Sequence, residues 1–509
     1  MKRYFWIFLL APIGMVTAQE IPTQKNQKVF GQVDFLSIHM PDTTIPDEAN
    51  MGFTGIHYNL KMNDWSYAGV AIYGSVTGQR GGFFTLGANL GIQKNIFKNF
   101  FIDSGIHFGG GGGAAAPDGG GAFILGHANL GYHFPYFSIT AGWSAIDFFD
   151  GGLIQNQQWN AALQVPLSFD FASHRPHEKE YAIKAFQDTP WHQKPKKIGL
   201  LLHLNNLRVD DKVANTENEY LIGQTIRLAG FEFDVYLNKK WFVFIKADGA
   251  YHGIQAGYMD VLMGGGYEFS MNKNRTHLLA KLGFGAGGGG GVDTRGGFLL
   301  YPDVSIEQKI SKGISLSINK GYLFTPDRHF FTSTYGVGLK YTAHVNGSQS
   351  KTKTYTSGKF KGFEFSLSQE LYWNAKRGSN PTENLQQISM QLNVELNQHL
   401  YIAGQTSFAN FGNAGAYAEG IVGFGVKVTP FPALQTSFFS QILTGAAGGG
   451  DIKTKQGLIV KSSFGIDQPL GDTLSFQLSA GFVKSLGGGL NSPLLNVGLK
   501  YRFSYLQLK

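Results

Sequence analysis

The chain has 509 residues, a formal net charge of +8, 69 glycines, 42 phenylalanines, 22 tyrosines and no cysteine. Without Cys there is no disulfide scaffold, no thiolate metal site and no N-terminal lipoprotein anchor, and an aromatic content of 14% excludes a disordered chain. Charged residues make up only 15%, and the basic ones recur in turns and linkers, which fits solvation or contact with anionic lipid and speaks against nucleic acid as a partner.

Residues 1–18 read as a secretory signal peptide. Lys2 and Arg3 form its basic end, Tyr4–Val16 its apolar run, and Val16-Thr17-Ala18 a small-residue cleavage site that leaves Gln19 first in the mature chain. No later stretch holds some eighteen uninterrupted apolar residues, so no membrane helix is expected. An exported, helix-poor, Gly- and aromatic-rich chain with alternating strands points to an all-β, antiparallel transmembrane barrel. The competing reading is a secreted soluble β-protein.

Three segments of similar make-up follow one another. Eight strands are predicted in 29–171, eight in 198–341 and eight in 362–503, with polar linkers at 172–197 and 342–361. In the first segment short turns at Met62-Asn63-Asp64, Lys94–Lys98 and Phe134-Pro135 alternate with long loops at Met40–Asn50, Gly74–Gly82, Gly109–Gly121 and Asp147–Gln157. Short turns on one side and long loops on the other are the pattern of bacterial outer-membrane barrels. The second segment turns at Asn238-Lys239-Lys240, Asn272–Arg275 and Ser311-Lys312-Gly313, and the third at Asn397-Gln398-His399, Thr429–Pro432 and Asp467–Asp472. Trp65, Trp241 and Tyr401 each follow the first short turn, where an interfacial aromatic fits. Gly109–Gly113, Gly287–Gly291 and Gly448–Gly450 fall in the same hairpin of each segment and read as flexible surface hairpins. Gly283-x-Gly285-x-x-Gly288 is not a nucleotide fingerprint, because Phe298–Ile306 alternates as a strand where that motif needs a helix.

Each segment closes on a related strand. Val337-Gly338-Leu339-Lys340-Tyr341 and Val497–Tyr501 are identical in sequence, and Val165-Pro166-Leu167-Ser168-Phe169 is a looser copy. Along these and other strands large apolar residues alternate with Ser, Thr, Gly and Asn, as in Ile314, Leu316 and Ile318 against Ser315, Ser317 and Asn319. Small polar groups make a poor water-facing surface for a secreted sandwich, so the apolar face is expected to point outward. Asn496-x-Gly498-x-x-Tyr501-x-Phe503 resembles the C-terminal assembly signal of the bacterial outer-membrane β-barrel superfamily. That resemblance implies recognition by the barrel-assembly machinery and location in the Gram-negative outer membrane. Thr334-x-Gly336-x-x-Leu339-x-Tyr341 fits the same pattern, whereas the superfamily commonly ends on the aromatic residue and here Ser504–Lys509 continue past Phe503.

About 24 strands close either as three tandem eight-stranded barrels or as one wide barrel. Bulky residues on the presumed inward face, such as Phe101, Phe242 and Phe244, and the twenty-odd-residue linkers favour three. Asp103, His107, His127 and Asn129 share the polar face of the first segment; Asp260, Glu268, Lys281 and Glu307 share that of the second and read as a self-balancing lumen network. No Ser–His–acid set stands at a recognisable spacing, so no catalytic residue, metal or cofactor is assigned. The expectation is an integral outer-membrane protein, not an enzyme, in contact with lipid and in a structural or surface-interaction role. A porin-like passive channel is the alternative, and a small-barrel lipid-modifying enzyme using His107 and His127 comes third.

Overall fold

The computed structural model describes residues 20–509 apart from 42–44, 211–212, 218, 220, 222, 350–354 and 432–433; the side chain of Phe431 is likewise outside the description. The signal peptide at 1–18, Pro432 and parts of the 40–50 and 210–219 loops and of the second linker therefore lie outside the described residues. No helix among the described residues is long and apolar enough to cross a membrane.

Eight strands come first: β1 (Lys25–Ile38), β2 (Met51–Lys61), β3 (Ser66–Thr77), β4 (Phe84–Phe97), β5 (Phe100–Gly112), β6 (Phe123–His133), β7 (Ser138–Phe148) and β8 (Gln155–Phe171). They form a closed antiparallel barrel, sealed where Lys25–Leu36 of β1 pair with Phe171–Asn160 of β8. The first linker contributes a short strand, β9 (Glu180–Ala182). A second set follows: β10 (Lys196–Val209), β11 (Thr225–Tyr236), β12 (Trp241–His252), β13 (Met259–Met271), β14 (Thr276–Gly288), β15 (Phe298–Ser311), β16 (Ile314–Phe324) and β17 (Phe331–Val345). The third is β18 (Ser357–Ala375), β19 (Glu383–Glu395), β20 (Leu400–Phe411), β21 (Ala418–Phe431), β22 (Thr436–Gly448), β23 (Leu458–Pro469), β24 (Leu474–Ser485) and β25 (Asn491–Leu508). The chain thus has 25 described strands, β9 being additional to the twenty-four expected.

β9 to β25 are joined in a single seventeen-stranded sheet, so only the first set stands as a barrel by itself. Within that sheet β10 pairs with β17 from Lys196↔Val345 to Val209↔Thr332, and β18 pairs with β25 from Gly358↔Leu508 to Tyr372↔Leu494. β17 and β25 share one residue pair, Val345↔Gln507.

The two faces of each strand differ as the alternation requires. In β16, Leu316 and Ile318 are 38% and 59% exposed while Ser317 is 2% exposed. Leu90, Ile106, Leu163, Leu282, Val337, Phe424, Ile442 and Phe464 are exposed in the same way, and the buried residues are rich in Ser, Thr, Asn, Gln, Asp, Glu and Lys. This is the reverse of a soluble barrel, whose apolar residues face in. Trp65 and Trp241 are exposed, but Tyr401 is buried and donates its hydroxyl to Gln441 Oε1 at 3.1 Å. The exposed position after that turn belongs to Leu400, because a shift of one residue changes the face.

The three sets touch in a ring, through the side that carries the long loops. Gly81 N–H donates to Arg295 C=O at 2.6 Å, joining the first set to the second, and Gly415 N–H donates to Gly119 C=O at 3.1 Å, joining the third to the first. The second meets the third at Gly257 and Gly448, where a Cβ on Gly448 would lie 2.5 Å from Gly257 N. Phe84 and Leu86, Val261 and Ala286, and Ile388 and Phe408 come from the three sets in turn and form one buried apolar cluster between them. One glycine of each cluster, Gly110, Gly288 and Gly448, is therefore a packed contact between sets, not part of a free surface hairpin: a Cβ there would lie 2.3, 2.6 and 2.5 Å from the backbone of another set.

The opposite side holds the first linker, which is not a loose spacer. Trp191 and Phe186 are buried with Tyr181, Ala172, Phe360 and Leu506. Trp191 Nε1–H donates to Pro22 C=O at 2.7 Å. The tail beyond Phe503 has a use here: Ser504–Leu508 extend β25 along Gly362–Gly358 of β18, and β9 adds to the other edge of β18 through Ser357, Gly358 and Lys359.

The contact between sets yields a prediction. Gly448→Ala places a methyl group 2.5 Å from Gly257 N and 2.6 Å from the Ala256 carbonyl carbon, whereas the Cβ of Gly404→Ala meets nothing within 4 Å. Gly448→Ala is expected to lose about 1–3 kcal/mol by overpacking, and Gly404→Ala to stay within about 0.5 kcal/mol, as read from unfolding midpoints.

Candidate functional site

The buried polar residues meet within the strand sets, and the three sets differ in chemistry. In the first barrel, β1 and β2 bring Asp34 and His57 together, with His57 Nε2 3.1 Å from Asp34 Oδ2. Tyr73 on β3 donates its hydroxyl to the same oxygen at 2.7 Å, and Gly55 N–H donates to Asp34 Oδ1 at 3.0 Å. Asn89 links His57 to His107, standing 3.0 Å from His57 Nδ1 and bonding His107 Nδ1 through its oxygen. Nearer the short turns, Asp103 accepts from Tyr67 at 2.9 Å and from Gln164 at 2.7 Å, with His127 Nε2 3.6 Å away.

His107 and His127 thus belong to separate layers, each with its own partner. Both line a cavity of about 20 Å³ together with Asn129, Asp34, His57 and Ser144. That space holds about one water. His57 Nδ1 and His107 Nδ1 bond Asn89 and His127 Nε2 stands 3.4 Å from the Tyr67 hydroxyl, whereas His107 Nε2 has no hydrogen-bond partner among the described residues, and Ser144 Oγ is engaged with Gln158 instead. No serine–histidine–carboxylate relay is assembled around His57, His107 or His127 among the described residues.

The second set is filled with charge. Lys281 on β14 stands 2.9 Å from Glu232 and 3.2 Å from Asp303. Lys340 on β17 stands 2.7 Å from both Asp234 and Glu307. Lys246 bonds Asp248 and lies 3.6 Å from Asp260, and Glu268 is paired with Lys197 at 2.7 Å and His277 at 2.9 Å. Asp260, Glu268, Lys281 and Glu307 therefore sit in four different ion pairs of one interior. Sequence reasoning missed Lys197, Lys340, Glu232, Asp234, Asp248 and Asp303, while Lys246 lies on the inward face expected for it beside Phe242 and Phe244. A signal for Lys340 was present, since it is the lysine of the repeated Val-Gly-Leu-Lys-Tyr strand.

Lys500, at the matching place on β25, stands 2.7 Å from Asp467 and 3.2 Å from Glu364. Lys461 pairs with Glu370 at 2.7 Å and with Glu419, and Lys427 pairs with Glu364 at 2.9 Å and with Glu395. The looser copy of the closing strand in β8 has Ser168 there, and the first barrel has no such lysine network among its described residues. The four residues of the suggested assembly signal all lie in the β25–β18 ladder. Asn496 donates to Ser368 Oγ at 3.1 Å, a Cβ on Gly498 would strike Ser368, and the Phe503 ring packs at 5.1 Å from Phe363 and 5.5 Å from Phe169 of β8.

No family model matches this sequence, and no curated protein matches it. Among solved structures, the ferric enterobactin receptor PfeA of Pseudomonas aeruginosa is similar at 8% identity and TM-score 0.28, over 95% of this chain and 82% of that one. OccK8 (OprE) of Pseudomonas aeruginosa is similar at 9% identity and TM-score 0.22, over 94% and 98%. The siderophore receptor PirA of Acinetobacter baumannii is similar at 7% identity and TM-score 0.27, over 95% and 81%. TM-scores of this size do not lay the chain as a whole on any of the three.

The buried lysines give a stability test. Lys340→Met leaves Asp234 and Glu307 buried without their common counter-charge. A loss of about 3–5 kcal/mol is expected, and most of it should return when Asp234→Asn and Glu307→Gln are added. Denaturant midpoints of the single and triple variants measure both.

Proposed function

We propose that this chain is an integral outer-membrane protein of three eight-stranded barrels on one polypeptide, without enzymatic activity, serving a structural or surface-interaction role. The observation that carries the reading is the inversion of faces: leucine, isoleucine, valine and phenylalanine outward, ion pairs and amides inward. Water would not tolerate that outer surface over so many strands, while lipid requires it.

The ladders support the division into three. β10 finds its second neighbour in β17, and β18 finds its second neighbour in β25, over fourteen and fifteen consecutive pairs. One wide barrel would need β8 beside β10, β17 beside β18 and β25 beside β1, whereas the residue registers pair β8 with β1, β17 with β10 and β16, and β18 with β25 and β19. The single β17–β25 pair then joins the second and third barrels on the side of the short turns, and β9 ties the first linker to the third. Eight-stranded barrels are narrow enough for their own side chains to fill, and the paired lysines and carboxylates occupy the space through which a solute would pass. The ring of contacts leaves three loop clusters side by side at one end, a broad surface suited to interaction. Under this reading the short turns, linkers and tail face the periplasm, and the barrel-assembly machinery handles β25.

Fractionation and conductance test the proposal together. The mature protein is expected to partition with outer membranes and to resist carbonate extraction; recovery in the soluble periplasmic or culture fraction would reject the membrane reading. Pure protein in planar bilayers is expected to give little or no steady conductance. Stable nanosiemens-class openings would reject filled barrels and favour a passive channel.

A further inference from the structure

One cluster belongs to no lumen network alone. It lies where the first linker crosses the short-turn side of the third strand set. Ala172 and Ser504 exchange backbone hydrogen bonds of 2.8 and 2.9 Å, which fix the start of the linker on β25. The chain then turns sharply: His177 N–H donates to His174 C=O at 2.9 Å. That turn stacks the two imidazoles with centroids 4.3 Å apart and planes 23° apart. Glu395, the last residue of β19, faces them, with Oε1 3.1 Å from His174 Nε2. One ligand atom from each of the three residues lies within 4.8 Å of the others.

We propose that His174, His177 and Glu395 bind a divalent transition cation of the zinc class, which clasps the first linker to the third strand set. Three features beyond proximity favour this. Two imidazoles and a carboxylate are a donor set that such cations take, with metal bonds of about 2.0–2.2 Å and donor atoms about 3.3 Å apart in a tetrahedral shell. The 3.1 Å edge between His174 and Glu395 is already close to that spacing. His177 Nδ1 lies 3.0 Å from His174 C=O, so it donates there and leaves Nε2 as the ligand nitrogen. A second-shell bond of this kind orients metal-ligating histidines.

The charge around the site also favours a cation. Glu364, Glu395 and Asp467 share two ammonium groups, Lys427 and Lys500, and Glu395 Oε2 has no hydrogen-bond partner among the described residues. Glu395 is 1% exposed and His174 8% exposed. A buried network with one carboxylate in excess is relieved by a bound cation or by a protonated imidazole. Lys427 also bonds Glu395 Oε1, and a carboxylate oxygen has the lone pairs to accept that bond and ligate a metal together. Half-buried His177 leaves a path for the ion and for water in the fourth position.

The test uses full-length protein without a polyhistidine tag, folded in detergent, stripped with chelator and titrated with cobalt(II) chloride. One equivalent should give visible d–d absorption that zinc(II) abolishes, and zinc should raise the unfolding midpoint. His177→Gln, at the partly exposed position, should weaken binding at least tenfold and remove the zinc-dependent shift. Arg175→Ala, which breaks only an exposed ion pair with Asp472, should change neither. Mobility before and after boiling shows that each variant is folded. Wild-type protein without a zinc-sensitive cobalt band, or a folded His177→Gln that binds as wild type does, would overturn the proposal.

Discussion

Backbone pairing at β10 and β18 constrains everything else in the structure. Fourteen consecutive residues of β10 pair with β17, and fifteen of β18 pair with β25. Where water is absent, each unpaired N–H or C=O costs several kcal/mol, so a strand that must lie in lipid needs a neighbour on both edges. Pairing the ends of an eight-strand set supplies both neighbours at once. It also fixes the radius, and the radius fixes the chemistry inside: a narrow interior is filled by side chains. Lys340 and Lys500, each flanked by two carboxylates, lie buried in the second and third sets, while amides, histidines and Asp34 and Asp103 fill the first barrel.

In lipid, exposed apolar strands would leave the sets little reason to associate, because burial of leucine gains almost nothing there. What the structure shows instead is backbone approach. Gly81 meets Arg295, Gly415 meets Gly119 and Gly448 meets Gly257, each pair joining a different two of the three sets. Small residues permit those contacts, and the cluster of Phe84, Leu86, Val261, Ala286, Ile388 and Phe408 fills the space between them. Beneath, the linkers, β9 and the end of β25 form a second tie. The first linker and the residues past Phe503 thus hold the sets in place, besides extending the chain.

Period-two alternation made the strands and their faces legible, because it depends on nothing beyond the neighbouring residues. Ile314, Leu316 and Ile318 lie outside and Ser315 and Ser317 inside for that reason. Partners were not legible. Alternation places Lys281 on the inner face but does not say that Glu232 and Asp303 arrive from two other strands. Tyr401 was misplaced because aromatic character was weighed above register. Asn63, Asn238 and Asn397 accept from the N–H three residues on, and counting from them puts Ser66, Trp241 and Leu400 in equivalent positions. The glycine clusters were visible as clusters, but their contacts are between segments far apart in the chain. His174 and His177 read only as part of a polar break, since Glu395 comes from β19.

The chain has no native cysteine, so strand neighbours can be read by cross-linking without background. Leu202 of β10 and Leu339 of β17 are directly paired. Cα atoms at such paired positions stand about 4.5–5.5 Å apart, within disulfide reach. The double variant Leu202→Cys, Leu339→Cys should oxidise to an intramolecular disulfide in the folded protein, giving a mobility shift that reductant reverses. A folded double variant that stays reduced while Leu339→Cys cross-links instead to a cysteine placed on β18, as at Leu367→Cys, would contradict closure of the second set and with it the three-barrel account.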